Sequence, residues 1–211
     1  RQREKTFVEG DPLVSQQMNN YFSTLGRVSY RVLKADPKSA IAKAEEHIRK
    51  NSKKRFELVV FDFPGHAGTS DLLELSLEMD YILSPIEADV QSMVSCLAYA
   101  KTMQDLGVSM TGARIKDVML LWNKVDRRVK STLIEKYSEY IRNEGYTLFD
   151  EHVYAAHRFC HELEQYGFRG AFRSTYLAPG KAQRAGTGLD EMIDSLLTHI
   201  RLKKEADNGT D

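Results

Sequence analysis

"FELVVFDFPG", residues 56–65, is the stretch on which the fold turns. Its centre, Leu58-Val59-Val60-Phe61, is continuously apolar, as in a strand buried on both faces of a parallel sheet. The run ends in Asp62, and Pro64 and Gly65 follow at once. An acid at the tip of such a strand, ahead of a Gly-containing loop, has the form of the second half of a P-loop nucleotide site. There a carboxylate orients the water shell of Mg²⁺, and loop glycines let backbone amides approach the terminal phosphate. The plainer alternative is an aspartate that caps the loop after it.

The sequence on either side repeats one pattern. "DYILSPI" (80–86) and "KDVMLLWNKVD" (116–126) read as buried strands, and "YTLFDEHVY" (146–154) as a fourth with diluted apolar character. "VSYRVLKAD" (28–36) alternates and suits a sheet edge. Helical periodicity predicts helices over 37–54, 72–79, 87–107, 131–145 and 188–204. The third of these turns Val90, Met93, Val94, Leu97, Ala98 and Met103 inward and stops at Gly107. Strands alternating with helices predict an α/β fold with a mostly parallel sheet. The length makes one domain, over 1–204, the default, with two small ones as the alternative, and the polar tail over 205–211 is expected to be disordered.

Lys plus Arg and Asp plus Glu both number 30 in 211 residues, so net charge supplies no bulk attraction to nucleic acid. Cys96 and Cys160 lie far apart and read as reduced thiols of a cytoplasmic protein. No apolar run is long enough to span a membrane. Position 1 is Arg within a polar stretch, so the chain is expected to be a fragment of a longer protein.

Ligands of parallel sheets sit beyond the carboxyl ends of the strands. The tip "WNKVD" (122–126) is the more specific one. Asn-Lys-x-Asp reads guanine in GTPases: Asp126 would accept from the base's ring N–H and amine, and the Lys124 stem would pack on the ring. A simpler version uses the Asn123 amide alone on adenine's edge. In a polar loop without a ligand, Asp126 would instead pair with Arg127, Arg128 or Lys130.

"FELVVFDFPGHAG", "MDYILSPIEADVQSM" and "MLLWNKVD", in that order and spacing, resemble the ParA/MinD family of deviant-Walker P-loop ATPases. In particular they look like the ParA-like, TraA-type proteins of Bacteroides conjugative transposons. The segment "HRFCHEL…GAFRSTYLAP…GLDEMIDSLL" and the opening "RQRE" are similar to the same proteins, so the resemblance covers nearly the whole chain. It implies a three-layer P-loop NTPase-like fold, ATP and Mg²⁺ as cofactors, and a nucleotide-sandwich homodimer. It also implies nonspecific DNA binding and a partner protein of the conjugation machinery. Asp62 matches the Walker-B-type acid that holds Mg²⁺ through water, and is the catalytic candidate. Gly65 matches the start of the switch loop, and Asn123 the adenine-contacting amide. Lys124 and Asp126 complete the nucleotide-binding set.

Two features depart from that family. Val153-Tyr154 stand where the family often has an Ile-Pro turn near the base. The phosphate loop is missing: neither Lys-Gly-Gly-x-Gly-Lys-Thr nor G-x-x-x-x-G-K-[ST] occurs. "APGKAQRAGTG" (178–188) has Gly180-Lys181, but Ala182 stands where a Mg²⁺-binding hydroxyl is needed. In the family's order the loop and its strand lie upstream of Arg1. The chain alone is therefore expected to be inactive, and a sheet without that central strand leaves backbone groups unpaired. A GTPase and a degenerate, non-hydrolysing scaffold are the alternatives.

His152, His157, Cys160 and His161 cluster, but without a carboxylate-histidine motif zinc is the weaker reading beside a surface role. His66 reads as solvated, and Ser84 and Cys96 show no nucleophile-elbow pattern. Arg169, Arg173, Lys181 and Arg184, with Arg201, Lys203 and Lys204, form a candidate DNA-binding face. Glu162, Glu164 and Glu191 would balance it on an ordinary solvated surface.

Overall fold

The run Val118-Met119-Leu120-Leu121-Trp122 is apolar without interruption and forms the middle of a sheet. This computed structural model describes residues 33–63, 69–128, 132–159 and 180–202. Strand β2, Asp117–Trp122, lies between β1, Tyr81–Ile86, and β3, Thr147–Leu148. All three are parallel. The register sets Tyr81 opposite Asp117, Ile86 opposite Trp122, and Met119 opposite Thr147.

Because side chains alternate across a strand, β2 feeds two cores. Val118, Leu120 and Trp122 join Met93, Met103 and Ile141 on one face. Met119 and Leu121 meet Phe149 and Met192 on the other. Helices α3, Val90–Ser109, and α4, Thr132–Asn143, supply the first face. Helix α6, Leu189–His199, supplies Met192 to the second. The fold is therefore α/β with a parallel sheet, as the sequence predicts. Trp122 is fully buried, and its indole N–H donates to Ser138 Oγ at 2.8 Å, so the polar edge of the ring is satisfied inside the core.

Other helices follow their sequence signals. Pro37–Ser39 form a 3-10 turn capped by Asp36, whose carboxylate accepts from the Ser39 N–H at 3.0 Å, and helix α1, Ala40–Lys50, continues from it. Helix α2 is Ser70–Leu77. Gly145, at φ 82°, follows α4 in the left-handed conformation that ends helices. Asp89 caps α3 by accepting from the Ser92 N–H at 2.8 Å.

Four expectations need correction. The strand expected over 56–63 belongs to no sheet. These residues lie outside any helix or strand, Val60 is 79% and Leu58 49% exposed, and they make no backbone hydrogen bond among the described residues. A strand exists only through a hydrogen-bonded neighbour, and among the described residues β1 has no strand on its far side. Helix α3 passes through Gly107 to Ser109, where the Met110 N–H closes on Leu106 O at 2.9 Å. Its buried stripe is Met93, Ala100 and Met103, with Leu97 partly buried against the same core; Val90, Val94 and Ala98 are exposed. The fourth strand is in two pieces, Thr147–Leu148 and a parallel bridge between Val125 and Tyr154. Helix α6 ends at His199, and Arg201, at φ 61°, turns the chain away.

Of the alternating stretch 28–36, residues 28–32 lie outside the described residues and 33–36 form no strand. The tail 205–211 also lies outside them. Contacts divide the chain into two units, Asp36–Ala155 with Gly186–Asp211, and Arg1–Ala35 with Ala156–Ala185. The sheet belongs to the first. Described parts of the second include a 3-10 turn, His157–Phe159, and the short helix α5, Lys181–Arg184. No helix among the described residues is long and apolar enough to cross a membrane.

Candidate functional site at the carboxyl edge of the sheet

The tips of β1 and β2 are held in register past the last strand residue. The Asn123 N–H donates to Ile86 O at 2.8 Å. Lys124 then takes a left-handed turn, φ 55°, uncommon for a residue with a side chain. Its ammonium pairs with Glu87, at the tip of β1. After this turn the chain straightens. The Val125 N–H donates to Val153 O at 3.1 Å, and the Ala155 N–H donates to Val125 O at 2.9 Å. Residues 123–125 and 153–155 therefore run side by side beyond the sheet.

A second loop closes on this edge. The Tyr154 N–H donates to Thr187 O at 2.8 Å. Thr187 is buried, and its hydroxyl accepts from the Leu189 N–H at 3.3 Å, which ties the loop to the first turn of α6. Gly186 and Gly188 flank it with φ 68° and 71°.

Asn123 is half-buried, and its side-chain amide has no hydrogen-bond partner among the described residues. Such an amide offers one donor face and one acceptor, the pattern that pairs with adenine's edge. Asp126 is differently placed. It accepts from the Arg128 backbone N–H at 2.9 Å, Nε at 3.0 Å and Nη2 at 2.8 Å. The Arg128 side chain and amide hold its carboxyl down at about 2. Its acceptors are committed to the loop itself, one of the pairings open to Asp126 in the sequence. Arg127, beside it, lies over the Tyr154 ring with Cζ 3.8 Å from the centroid.

The structure thus brings Asn123, Lys124 and Asp126 onto one loop. Asp62 is exposed, and has no hydrogen bond or ion pair among the described residues. Gly65 and His66 lie outside the described residues, as do Cys160 and His161. His152 is half-buried, and burial, with Arg142 nearby, lowers its pKa from the ordinary value. No group of three His, Cys, Asp or Glu among the described residues could hold a metal ion. Cys96 is a free thiol whose Sγ lies 3.5 Å from Pro85 O. Lys181, Arg184 and Arg201 of the basic set are described; Arg169, Arg173, Lys203 and Lys204 lie outside.

Sequence reasoning missed Glu87, the Arg127–Tyr154 contact and the Gly186-Thr187-Gly188 loop. The loop does carry a signal, two glycines around a threonine directly before a helix. For ATP-Mg²⁺ the residues present divide. The base end fits, since Asn123 presents an amide without a hydrogen-bond partner among the described residues. The phosphate and metal end does not fit the described residues, where Asp62 stands without companion ligands. No protein-family model, curated protein or solved structure matches this chain.

Proposed function

We propose that this chain is the base-binding part of a ParA-like ATPase, with adenine read by Asn123 at the carboxyl edge of the parallel sheet. The observation that carries the proposal is the contrast between two neighbours in one loop. The Asn123 amide has no partner among the described residues, whereas the Asp126 carboxylate is spent on Arg128. A guanine reader needs that carboxylate uncommitted; an adenine reader needs only the amide. The ordered resemblance of residues 56–126 to the ParA/MinD family supports the same reading.

In this reading residues 56–62 form a strand once the strand carrying the phosphate loop pairs with them. Asp62 is then the acid that orients Mg²⁺. The full-length parent hydrolyses ATP, forms a homodimer and acts in the cytoplasm on DNA during conjugative transfer or partition, with a protein of that machinery as partner. Residues 1–211 alone turn over no ATP. The non-hydrolysing scaffold is favoured by one observation, the absence of companion ligands around Asp62 among the described residues.

Competition of labelled nucleotide by ATP and by GTP on the full-length parent tests the proposal. ATP is expected to compete at lower concentration, and preference for GTP would overturn the role given to Asn123. A parent that binds neither nucleotide leaves the scaffold standing.

A further inference from the structure

Helix α6 runs antiparallel to the segment over 147–154 and is tied down at three heights. At the carboxyl edge of the sheet Gly188 sits against His152 O, where a Cβ would stand 2.0 Å from the oxygen, and the Tyr154 N–H donates to Thr187 O at 2.8 Å. At mid-helix the Ser195 hydroxyl donates to Glu151 Oε1 at 2.6 Å. At the amino edge the His199 Nε2–H donates to Asp117 Oδ2 at 2.7 Å, and the Thr147 hydroxyl donates to the same oxygen at 2.8 Å. Asp117 and Thr147 are the first residues of β2 and β3, so one carboxylate oxygen joins α6 to two strands. The His199 ring also meets Tyr81 and Phe149 edge to face, with centroids 6.5 and 5.8 Å away.

These ties matter because α6 does not stand by itself. Its 11 residues are fewer than an isolated helix needs to hold its shape in water. Met192 is buried, and Leu189, Leu196 and Ile200 are half-buried, against Met119, Leu121 and Phe149. The helical hydrogen bonds and the docking contacts therefore depend on each other. Losing the anchor at one end weakens the helix along its length. That anchor is within reach of solvent, since the His199 and Asp117 side chains are 35% and 26% exposed.

We propose that α6 is a latch that docks and undocks as one unit, so that the Asp117–His199 contact at the amino edge governs the order of residues 152–155 and 186–188 at the carboxyl edge. Tyr154 receives the signal. It is bridged to Val125 on one side and bonded to Thr187 on the other. With α6 released, the Tyr154 N–H loses Thr187 O, and the segment over 153–155 is held from the Val125 side alone. A single helix with two states, biased from either end, is a physical carrier of coupling between distant sites. Whatever engages Asp117 or His199 is felt at the loop over 186–188, and the reverse holds by linkage. The coupling holds whether or not Asn123 reads a base.

Amide hydrogen exchange followed by NMR on residues 1–211, in the wild type, His199→Ala and Ser195→Ala, tests this. In the wild type the amides of Tyr154, Met192 and Ile200 are expected to share one opening and to exchange faster than that of Leu120, fully buried in β2. His199→Ala is expected to speed all three by one common factor of about two- to tenfold, the scale of one lost hydrogen bond. Ser195→Ala, at mid-helix, is expected to speed the same three amides together. Acceleration at Ile200 without Tyr154 would mean that the last turn merely frays, and would overturn the proposal. A wild-type Tyr154 amide that exchanges as slowly as that of Leu120 would overturn it too, since α6 would then open only with the whole sheet. If His199→Ala does not fold, Ser195→Ala decides alone, and an unchanged Tyr154 rate there contradicts the latch.

Discussion

Gly188 lies so close beneath the carbonyl of His152 that a Cβ at 188 would stand 2.0 Å from the oxygen. Its φ of 71° adds the cost of a left-handed residue. Gly188→Ala is therefore expected to destabilise the chain by at least about 1–3 kcal/mol from backbone conformation alone, with the clash in addition. For a chain of this size each kcal/mol lowers Tm by roughly 2–4 °C. A thermal melt checks it. An unchanged Tm would mean that the 186–188 loop does not dock on the 152–154 segment.

The Asp126–Arg128 pair sets a pH dependence. The folded carboxyl titrates at about 2, below its ordinary 3.8, because Arg128 donates to it from side chain and backbone. A carboxyl lowered on folding stabilises the folded loop above its unfolded pKa, and loses that contribution as pH falls through the folded one. The loop over 123–128 is thus expected to keep its geometry down to about pH 4 and to loosen toward pH 2. Carbon NMR of the Asp126 carboxyl should show a midpoint near 2 that rises toward 3.8 in Arg128→Ala. A wild-type midpoint already at 3.8 would show that the pair does not form in solution.

Val60 is 79% exposed in a segment with no hydrogen-bonded neighbour among the described residues. Val60→Lys in residues 1–211 is expected to change stability by less than about 0.5 kcal/mol, as for other surface sites, while reducing aggregation and dye binding. In the full-length parent the same position is expected to be covered by the phosphate-loop strand. There the substitution should cost about 3 kcal/mol or more, for burying an unpaired charge. Paired melts of the two proteins, each with and without the substitution, measure the difference. Equal effects in both would contradict a strand pairing there.

The legible parts of the sequence are those whose pattern is self-sufficient. Val118 to Trp122 is apolar on both faces, and both faces are buried. Helix α4 carries its own stop in Gly145. The centre of segment 56–63 is as apolar as β2 and has a different fate, because apolar character states what a strand needs and not whether a neighbour is present. Gly107 is tolerated inside α3, since helix ends depend on what packs beyond them as well as on propensity. Asn123, Lys124 and Asp126 were found by spacing along one loop. Pairing of Lys124 with Glu87, and of Arg127 with Tyr154, joins residues distant in sequence, and no local pattern announces such contacts.

Asp62 carries the central claim. It is exposed and without a hydrogen bond among the described residues, so among them Asp62→Asn removes no packing and no hydrogen bond. The direct measurement is ATP turnover and Tm of the full-length parent and its Asp62→Asn variant, side by side. The account predicts a Tm within about 1 °C of the parent, as for a solvent-facing substitution, and turnover lowered at least about tenfold through lost Mg²⁺ positioning. A clearly lowered Tm with unchanged specific activity would contradict it, and would make Asp62 a loop cap.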